Sequence, residues 1–212
     1  MLKASGLCVY RGDSCLFRDI ALDLAVGQLL YVSGPNGSGK TTLLRLLCGL
    51  TLPEEGEVRW DGESIRSGTD DYNRELFYFG HLNGIKGDLS ALENLQMNAA
   101  LAGCAVTEDA ALDALELMGL SGYEDLPTKV LSQGQKRRVA LSRLWLTRAR
   151  LWILDEPFTA LDIAAISLLR DRLRAHLDQQ GMIVLTTHQE IDFGDDVVVR
   201  HLKMGQRQGS QR

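Results

Sequence analysis

The chain predicts an α/β fold with a mostly parallel core sheet, an antiparallel β layer beside it and an inserted helical subdomain. Three observations carry this reading. Short apolar runs at residues 29–32, 76–79, 151–154 and 182–185 read as buried strands, and helix-like runs stand between them. Residues 7–10, 20–26 and 57–60 read instead as strands separated by turns, which suits an antiparallel layer. From about residue 88 to 148 the chain turns mostly helical.

Taken in order, the first two strands flank the turn Arg11-Gly12-Asp13-Ser14. In the second, alternation puts Ile20, Leu22 and Leu24 on one face. Residues 29–32 lead into Gly34-Pro35-Asn36-Gly37-Ser38-Gly39-Lys40-Thr41, and a helix-like run from Thr42 stops at Gly49. Glu57-Val58-Arg59-Trp60 followed by Asp61-Gly62 reads as a hairpin arm and its turn. The run at 76–79 is a short strand whose tip delivers His81. Ser90-Ala91-Leu92-Glu93 is a capping box, and Leu89, Leu92 and Leu95 recur at helical spacing behind it. Thr107 opens another helix with acids at 108 and 109, an apolar face of Ala111, Leu112, Leu115 and Met118, and stops at Gly119 and Gly122. Ser132 caps a helix whose buried side is Leu141, Leu144 and Trp145. Its basic residues Lys136, Arg137, Arg138, Arg143 and Arg148 read as a solvated face. The polar stretch from Met204 to Arg212 reads as a frayed tail.

The chemistry is concentrated in residues 34–41, which spell G-x-x-x-x-G-K-[ST] between a strand and a helix. A polyphosphate needs many donors converging without side-chain obstruction. The glycines let consecutive N–H groups form an anion-binding nest, and the helix start adds its unpaired N–H groups. Lys40 is then expected to reach the β- and γ-phosphates, and Thr41 to offer its hydroxyl to Mg²⁺. The strand at 151–154 ends in Asp155-Glu156. Carboxylates at the carboxyl end of a buried strand are costly unless they bind something, and that end is where open α/β sheets hold ligands. Asp155 suits Mg²⁺, directly or through water, and Glu156 suits the attacking water. His188 follows the strand at 182–185, where a lone histidine serves as a hydrogen-bonded surface group or, beside these neighbours, faces the γ-phosphate. Ser132 and Gly134 open a second helix N-terminus, which serves as an ordinary helix start or as a further phosphate contact. Tyr10 suits packing or stacking on a base.

Composition sets limits. A formal net charge of −5 and the lack of a basic stretch give no nucleic-acid footprint. Cys8, Cys15, Cys48 and Cys104 form no C-x-x-C pair, so reduced thiols are expected and a zinc-type site is not. No secretory apolar segment opens the chain, and no apolar run approaches the roughly 20 residues of a spanning helix. Attachment to a membrane would therefore run through a partner.

Assembled in this order, the segments resemble the nucleotide-binding subunits of ABC transporters, which are P-loop NTPases of ABC type. Tyr10 matches the aromatic A-loop, residues 34–41 match Walker A, and residues 131–135 match the signature L-S-G-G-Q with one change. Residues 151–156 match Walker B, Ala160-Leu161-Asp162 the D-loop, and His188 the switch histidine. Residues 79–86 and 89–95, with 140–145, 151–159 and 186–189, resemble more narrowly the ATP-binding subunits of the haem exporters of cytochrome c maturation.

The resemblance implies ATP and Mg²⁺ as cofactors. It implies a nucleotide-binding set of Tyr10, residues 34–40, Thr41, Thr42, Ser132, Gly134 and Asp162. Thr41 and Asp155 are the implied metal ligands, and Glu156, His188, Lys40 and His81 the implied catalytic residues. It also implies a homodimer closed across two ATP sites, with Ser132 and Gly134 of one copy facing Walker A of the other. Expected partners are inner-membrane subunits resembling CcmB, CcmC and CcmD, at the cytoplasmic face, with ATP turnover releasing the haem-loaded chaperone CcmE. Two residues depart from the family pattern. Gln133 replaces the first signature glycine, while Ser132 and Gly134 are kept. His81 stands at the Q-loop glutamine position; an imidazole suits water or a partner better than a hard cation.

Overall fold

A computed structural model describes residues 1–12, 14–189 and 191–205. Two sheets organise it. The first is antiparallel, in the order β2-β1-β4-β5, from β1 (Leu2–Arg11), β2 (Ser14–Leu24), β4 (Glu55–Trp60) and β5 (Glu63–Ser64). The second is parallel throughout, in the order β6-β7-β8-β3-β9, from β3 (Gln28–Ser33), β6 (Leu76–Phe79), β7 (Leu151–Asp155), β8 (Met182–Thr186) and β9 (Val198–Lys203).

Helices α1 (Lys40–Leu47), α2 (Thr69–Glu75), α3 (Ala91–Leu101), α4 (Glu108–Leu117), α5 (Gln133–Ser142) and α6 (Ile163–Asp178) complete the fold. Short 3₁₀ turns lie at Thr128–Val130 and Arg143–Trp145.

The parallel strands are buried on both faces, and their period of two divides the core. Trp152, Leu154, Ile183 and Leu185 point into a cluster shared with α3, α4, α5 and α6. Leu151, Ile153, Met182 and Val184 point into a second cluster with α1 and the antiparallel sheet. The central sheet is thus the wall between a helical half and a β half. α3, α4 and α5 all fall within residues 88–148, and their contacts with one another build the helical half.

The expected helix starts are present with their hydrogen bonds. Ser90 Oγ accepts from Glu93 N at 3.1 Å while Glu93 Oε2 accepts from Ser90 N at 2.8 Å. Ser132 and Gln135 form the same reciprocal pair at 3.2 and 2.9 Å. Thr107 Oγ1 accepts from Ala110 N at 3.3 Å.

Three expectations need correction or extension. β1 and β2 are longer than the pattern indicates, because paired strands continue wherever a neighbour takes up the backbone groups. β2 still changes register near Asp19, whose φ of 53° marks a bulge. The basic side of α5 is not a solvated face: Arg137 is buried, Lys136, Arg138 and Arg143 are partly buried, and only Arg148 is exposed. Arg137, Leu141 and Leu144 follow i, i+4, i+7 spacing, so one stripe carries all three inward. Met204 does not begin a frayed tail. It is buried, and its N–H donates to Ser33 O at 2.7 Å, which carries β9 up to the end of β3. Residues 206–212, the rest of that expected tail, and Asp13 of the predicted turn lie outside the described residues. No helix among the described residues is long and apolar enough to cross a membrane.

Candidate active site

Because the central sheet is parallel, the carboxyl ends of β6, β7, β8 and β3 lie along one edge in that order. Those four tips deliver His81, Asp155 with Glu156, Thr186 to His188, and residues 34–39. Residues separated by over a hundred positions are thereby brought together without any long loop.

The loop after β3 closes on Lys40. Its Nζ donates to Gly34 O at 2.7 Å and reaches Pro35 O at 3.3 Å. Ser38 N donates to Pro35 O at 3.2 Å, and Leu43 N to Gly39 O at 2.8 Å as α1 begins. Two glycines are required by space as well as by φ. At Gly34 (φ 148°) a Cβ would stand 2.7 Å from Met204 O and 2.9 Å from Ser38 Oγ. At Gly39 (φ 95°) it would stand 2.9 Å from Leu16 and Phe17. The start of β2 therefore lies over the loop, and Tyr10, paired in register with Cys15, sits at the same end of that hairpin. Arg18 donates to the Tyr10 hydroxyl, and its guanidinium carbon lies 6.0 Å from the ring centroid.

Asp155 is buried, and both its oxygens are engaged. Thr41 Oγ1 donates to Oδ2 at 2.7 Å, and Thr186 Oγ1 donates to Oδ1 at 2.7 Å. Thr186 Oγ1 also accepts from Glu156 N at 3.0 Å, while Thr186 O accepts from the same N–H at 3.1 Å. Glu156 has a φ of 53°, uncommon for a residue with a side chain. Its Oε1 is buried without a hydrogen bond among the described residues, 3.4 Å from Nε2 of His188. Ser38 Oγ, within the loop, is likewise buried without a hydrogen bond among the described residues. Buried polar atoms are normally satisfied, so these two at one edge suit a polar ligand.

These features test the fit of a nucleotide and its metal. The glycine-lined loop, the Lys40 ammonium and the α1 N-terminus suit an anion, and the hydroxyl–carboxylate pair Thr41–Asp155 has the all-oxygen character that Mg²⁺ takes. Among the described residues no cluster of three or more His, Cys, Asp or Glu forms a self-contained metal site, so an ion here would draw on water and phosphate oxygens.

The other predicted residues lie as follows. Ser132 and Gly134 open α5, and a Cβ on Gly134 would stand 3.2 Å from Ala160 O. Asp162 caps α6 through Ala165 N at 2.9 Å and pairs with Arg138 of α5. The segments carrying Ser132 and Asp162 are thus joined to each other. Among the described residues no hydrogen bond joins Ser132 to residues 34–42 of the same chain. Pro35, Asn36 and Gly37 are exposed, Thr42 is half-buried and His188 is exposed. His81 is exposed, and its carbonyl accepts from Arg137 Nη1 at 3.4 Å. Sequence reasoning missed two residues that shape the site, Thr186 and Arg137. The signal for Thr186 was a hydroxyl closing an otherwise apolar strand. The signal for Arg137 was its helical phase with Leu141 and Leu144.

The family model described as ABC transporter matches residues 17–159. The cytochrome c biogenesis ATP-binding export protein CcmA of Nitrosomonas europaea is 54% identical over 95% of this chain and 94% of its own length. CcmA of Salmonella typhi is 48% identical, over 94% of this chain and 95% of its own length. Among solved structures, a putative ABC transporter ATP-binding protein from Pyrococcus furiosus superposes with a TM-score of 0.80 at 26% identity, covering 95% of this chain and 96% of that one. A dimeric ATP-binding cassette bound to ADP and Pi gives the same TM-score at 22% identity, covering 96% of each chain, and supports the fold alone. A glycine-lined loop after β3, an acid pair at the tip of β7 on the same sheet edge and near-full-length identity of about one half lead to one assignment: the chain belongs to the ABC transporter family and, within it, to the CcmA family of ATP-binding proteins.

Proposed function

We propose that the chain is the ATP-hydrolysing subunit of a membrane ABC complex that serves cytochrome c biogenesis through haem export, in the haem-translocase class. Identity of about one half to CcmA proteins, over nearly the whole chain, carries the biological assignment. The buried Oε1 of Glu156, 3.4 Å from His188 Nε2 and without a hydrogen bond among the described residues, carries the chemistry.

In this reading Lys40 exchanges its bonds to the Gly34 and Pro35 carbonyls for the β- and γ-phosphates of ATP. The N–H groups of residues 34–41, with Ser38 and Thr42, line the polyphosphate, and Tyr10 stacks on the base. Mg²⁺, when bound, lowers the negative charge on the β- and γ-phosphate oxygens; Thr41 and Asp155 would hold it. Glu156 accepts the proton of the attacking water as its oxygen bonds to the γ-phosphorus and the bond to the β-phosphate oxygen breaks. His188 offers a hydrogen bond to the charge that develops on the γ-phosphoryl oxygens.

Ser132, Gly134 and Asp162 act across a homodimer, each ATP taking donors from both copies. The segment of residues 78–95, with His81 at its exposed start, meets inner-membrane subunits resembling CcmB, CcmC and CcmD at the cytoplasmic face. Residues 88–148 move as a helical subdomain within one ABC ATPase domain. No role for nucleic acid is proposed.

Glu156→Gln tests the chemistry. The variant is expected to bind Mg-ATP, to hydrolyse it at least about 100-fold more slowly and to accumulate as a dimer. Phosphate release at the parental rate from a monomer overturns the assignment. Co-purification from detergent-extracted membranes tests the biology: subunits of an unrelated transporter would overturn the haem reading and leave the ATPase reading intact.

A further inference from the structure

We propose that Arg137 is a positioning residue for hydrolysis: it holds the peptide of Glu156 and ties it to the loop at residues 81–83 and to the helix that begins at Ser132. The inference rests on the reading of Glu156 as the group that handles water.

Arg137 lies on the second turn of α5 and is 5% exposed. Its Nη2 donates to Glu156 O at 2.5 Å. Its Nη1 donates to Asn83 Oδ1 at 3.0 Å and reaches His81 O at 3.4 Å. The guanidinium carbon stands 4.3 Å from the centroid of the Phe79 ring, a buried core residue at the end of β6. One planar group therefore touches β6, the loop after it, and the residue that follows β7.

That arrangement is not explained by packing. Among the described residues no carboxylate forms an ion pair with Arg137, and its Nε has no hydrogen bond, so a full charge is buried on carbonyl and amide oxygens. Burial pulls the guanidinium down to about 10, against the opposing pull of Asp155 and Glu156. An apolar side chain would fill this space at less cost.

What the guanidinium does is complete the restraint on Glu156. That residue is held at a φ of 53°, a conformation that persists only when its surroundings over-determine it. Thr186 takes its N–H twice, and Arg137 takes its carbonyl. With both peptides of the residue held, its Cα–Cβ bond has a defined direction, and the carboxylate it carries lies 3.4 Å from His188 Nε2. Because the donor to the carbonyl also holds Asn83 and rides on α5, a shift of either the 81–83 loop or α5 loosens the Glu156 peptide. Hydrolysis is thereby made sensitive to the position of both.

The test compares the full chain with R137M, R137K, N83A, N83A/R137M and E156Q, measuring phosphate release against Mg-ATP concentration and nucleotide affinity by equilibrium binding. For R137M the expected result is kcat lowered about 10- to 100-fold, as for a small misplacement of a catalytic group, with the Mg-ATP Kd within about threefold of parental. Lysine keeps the charge but cannot fork between acceptors, so R137K should fall between parental and R137M. N83A should lower kcat in the same direction, and adding it to R137M should cost nothing more.

Parental kcat in R137M, with E156Q slow, overturns the inference and spares the reading of Glu156. Parental hydrolysis in E156Q overturns both. A fall in kcat that only tracks lost nucleotide affinity or folded fraction also overturns it. If R137M does not fold, R137K and N83A decide: parental kcat in both refutes the proposal.

Discussion

Replacing Thr186 by valine removes one hydroxyl and almost no volume, and the structure says what that hydroxyl does. It donates to Asp155 Oδ1 at 2.7 Å and accepts from Glu156 N at 3.0 Å. The Glu156 amide keeps its second acceptor, Thr186 O at 3.1 Å, so its loss is partial. Asp155 is 2% exposed and keeps only the bond from Thr41 to its other oxygen. A hydrogen bond to a charged group contributes about 1.5–3 kcal/mol, and a buried acceptor left without a donor incurs its desolvation as well. Thr186→Val is therefore expected to lower the unfolding free energy of the nucleotide-free chain by about 2–3 kcal/mol. Thr186→Ser keeps the hydroxyl and loses one methyl, so about 1 kcal/mol is expected. Urea unfolding followed by far-ultraviolet circular dichroism reads both. If valine costs less than about 0.5 kcal/mol, or serine costs as much as valine, the hydroxyl is not what holds Asp155.

Two further outcomes follow from other parts of the molecule. His176 is stacked on Trp152 at 3.7 Å and 6°, and burial, with Arg172 adding to it, lowers its pKa to about 4 from 6.5. The unfolded chain therefore binds a proton that the fold refuses. The stabilisation is complete above pH 6.5 and is lost as pH falls from 6.5 toward 4, by about 2 kcal/mol at pH 5 relative to pH 7. The fall in unfolding free energy from pH 7 to pH 5, read from urea titrations, should be larger in the parent than in His176→Gln by this amount; an equal fall in the two would refute it. Gly34→Ala places a methyl group 2.7 Å from the backbone oxygen of Met204, which cannot rotate away. Mg-ATP affinity should fall by at least about tenfold in a calorimetric titration, since the loop must leave its nest geometry; unchanged affinity would show that the loop tolerates the shift.

How much of this was legible in the residues differs from one element to the next. The strands at 29–32, 76–79, 151–154 and 182–185 and the helix starts at Ser90, Thr107 and Ser132 depend on local pattern and short-range hydrogen bonds, and the structure has them. The family and fold were equally legible, since contiguous motifs carry them. Arg137 was misjudged because charge normally keeps arginine at the surface, and only the meeting of α5 with the tips of β6 and β7 gives it three acceptors. Met204 was misjudged because its burial comes from β9 pairing with β3, about 170 residues away in sequence.

The chain's own residues determined the glycine-lined loop, the acid pair and the helix caps, because each is a property of neighbours within a few positions. The tertiary structure alone decided that β8 lies between β7 and β3. Strand order depends on long-range packing, which no local pattern encodes, and it is this order that sets Thr186 against both Asp155 and Glu156 and brings a carboxylate oxygen of Glu156 beside His188.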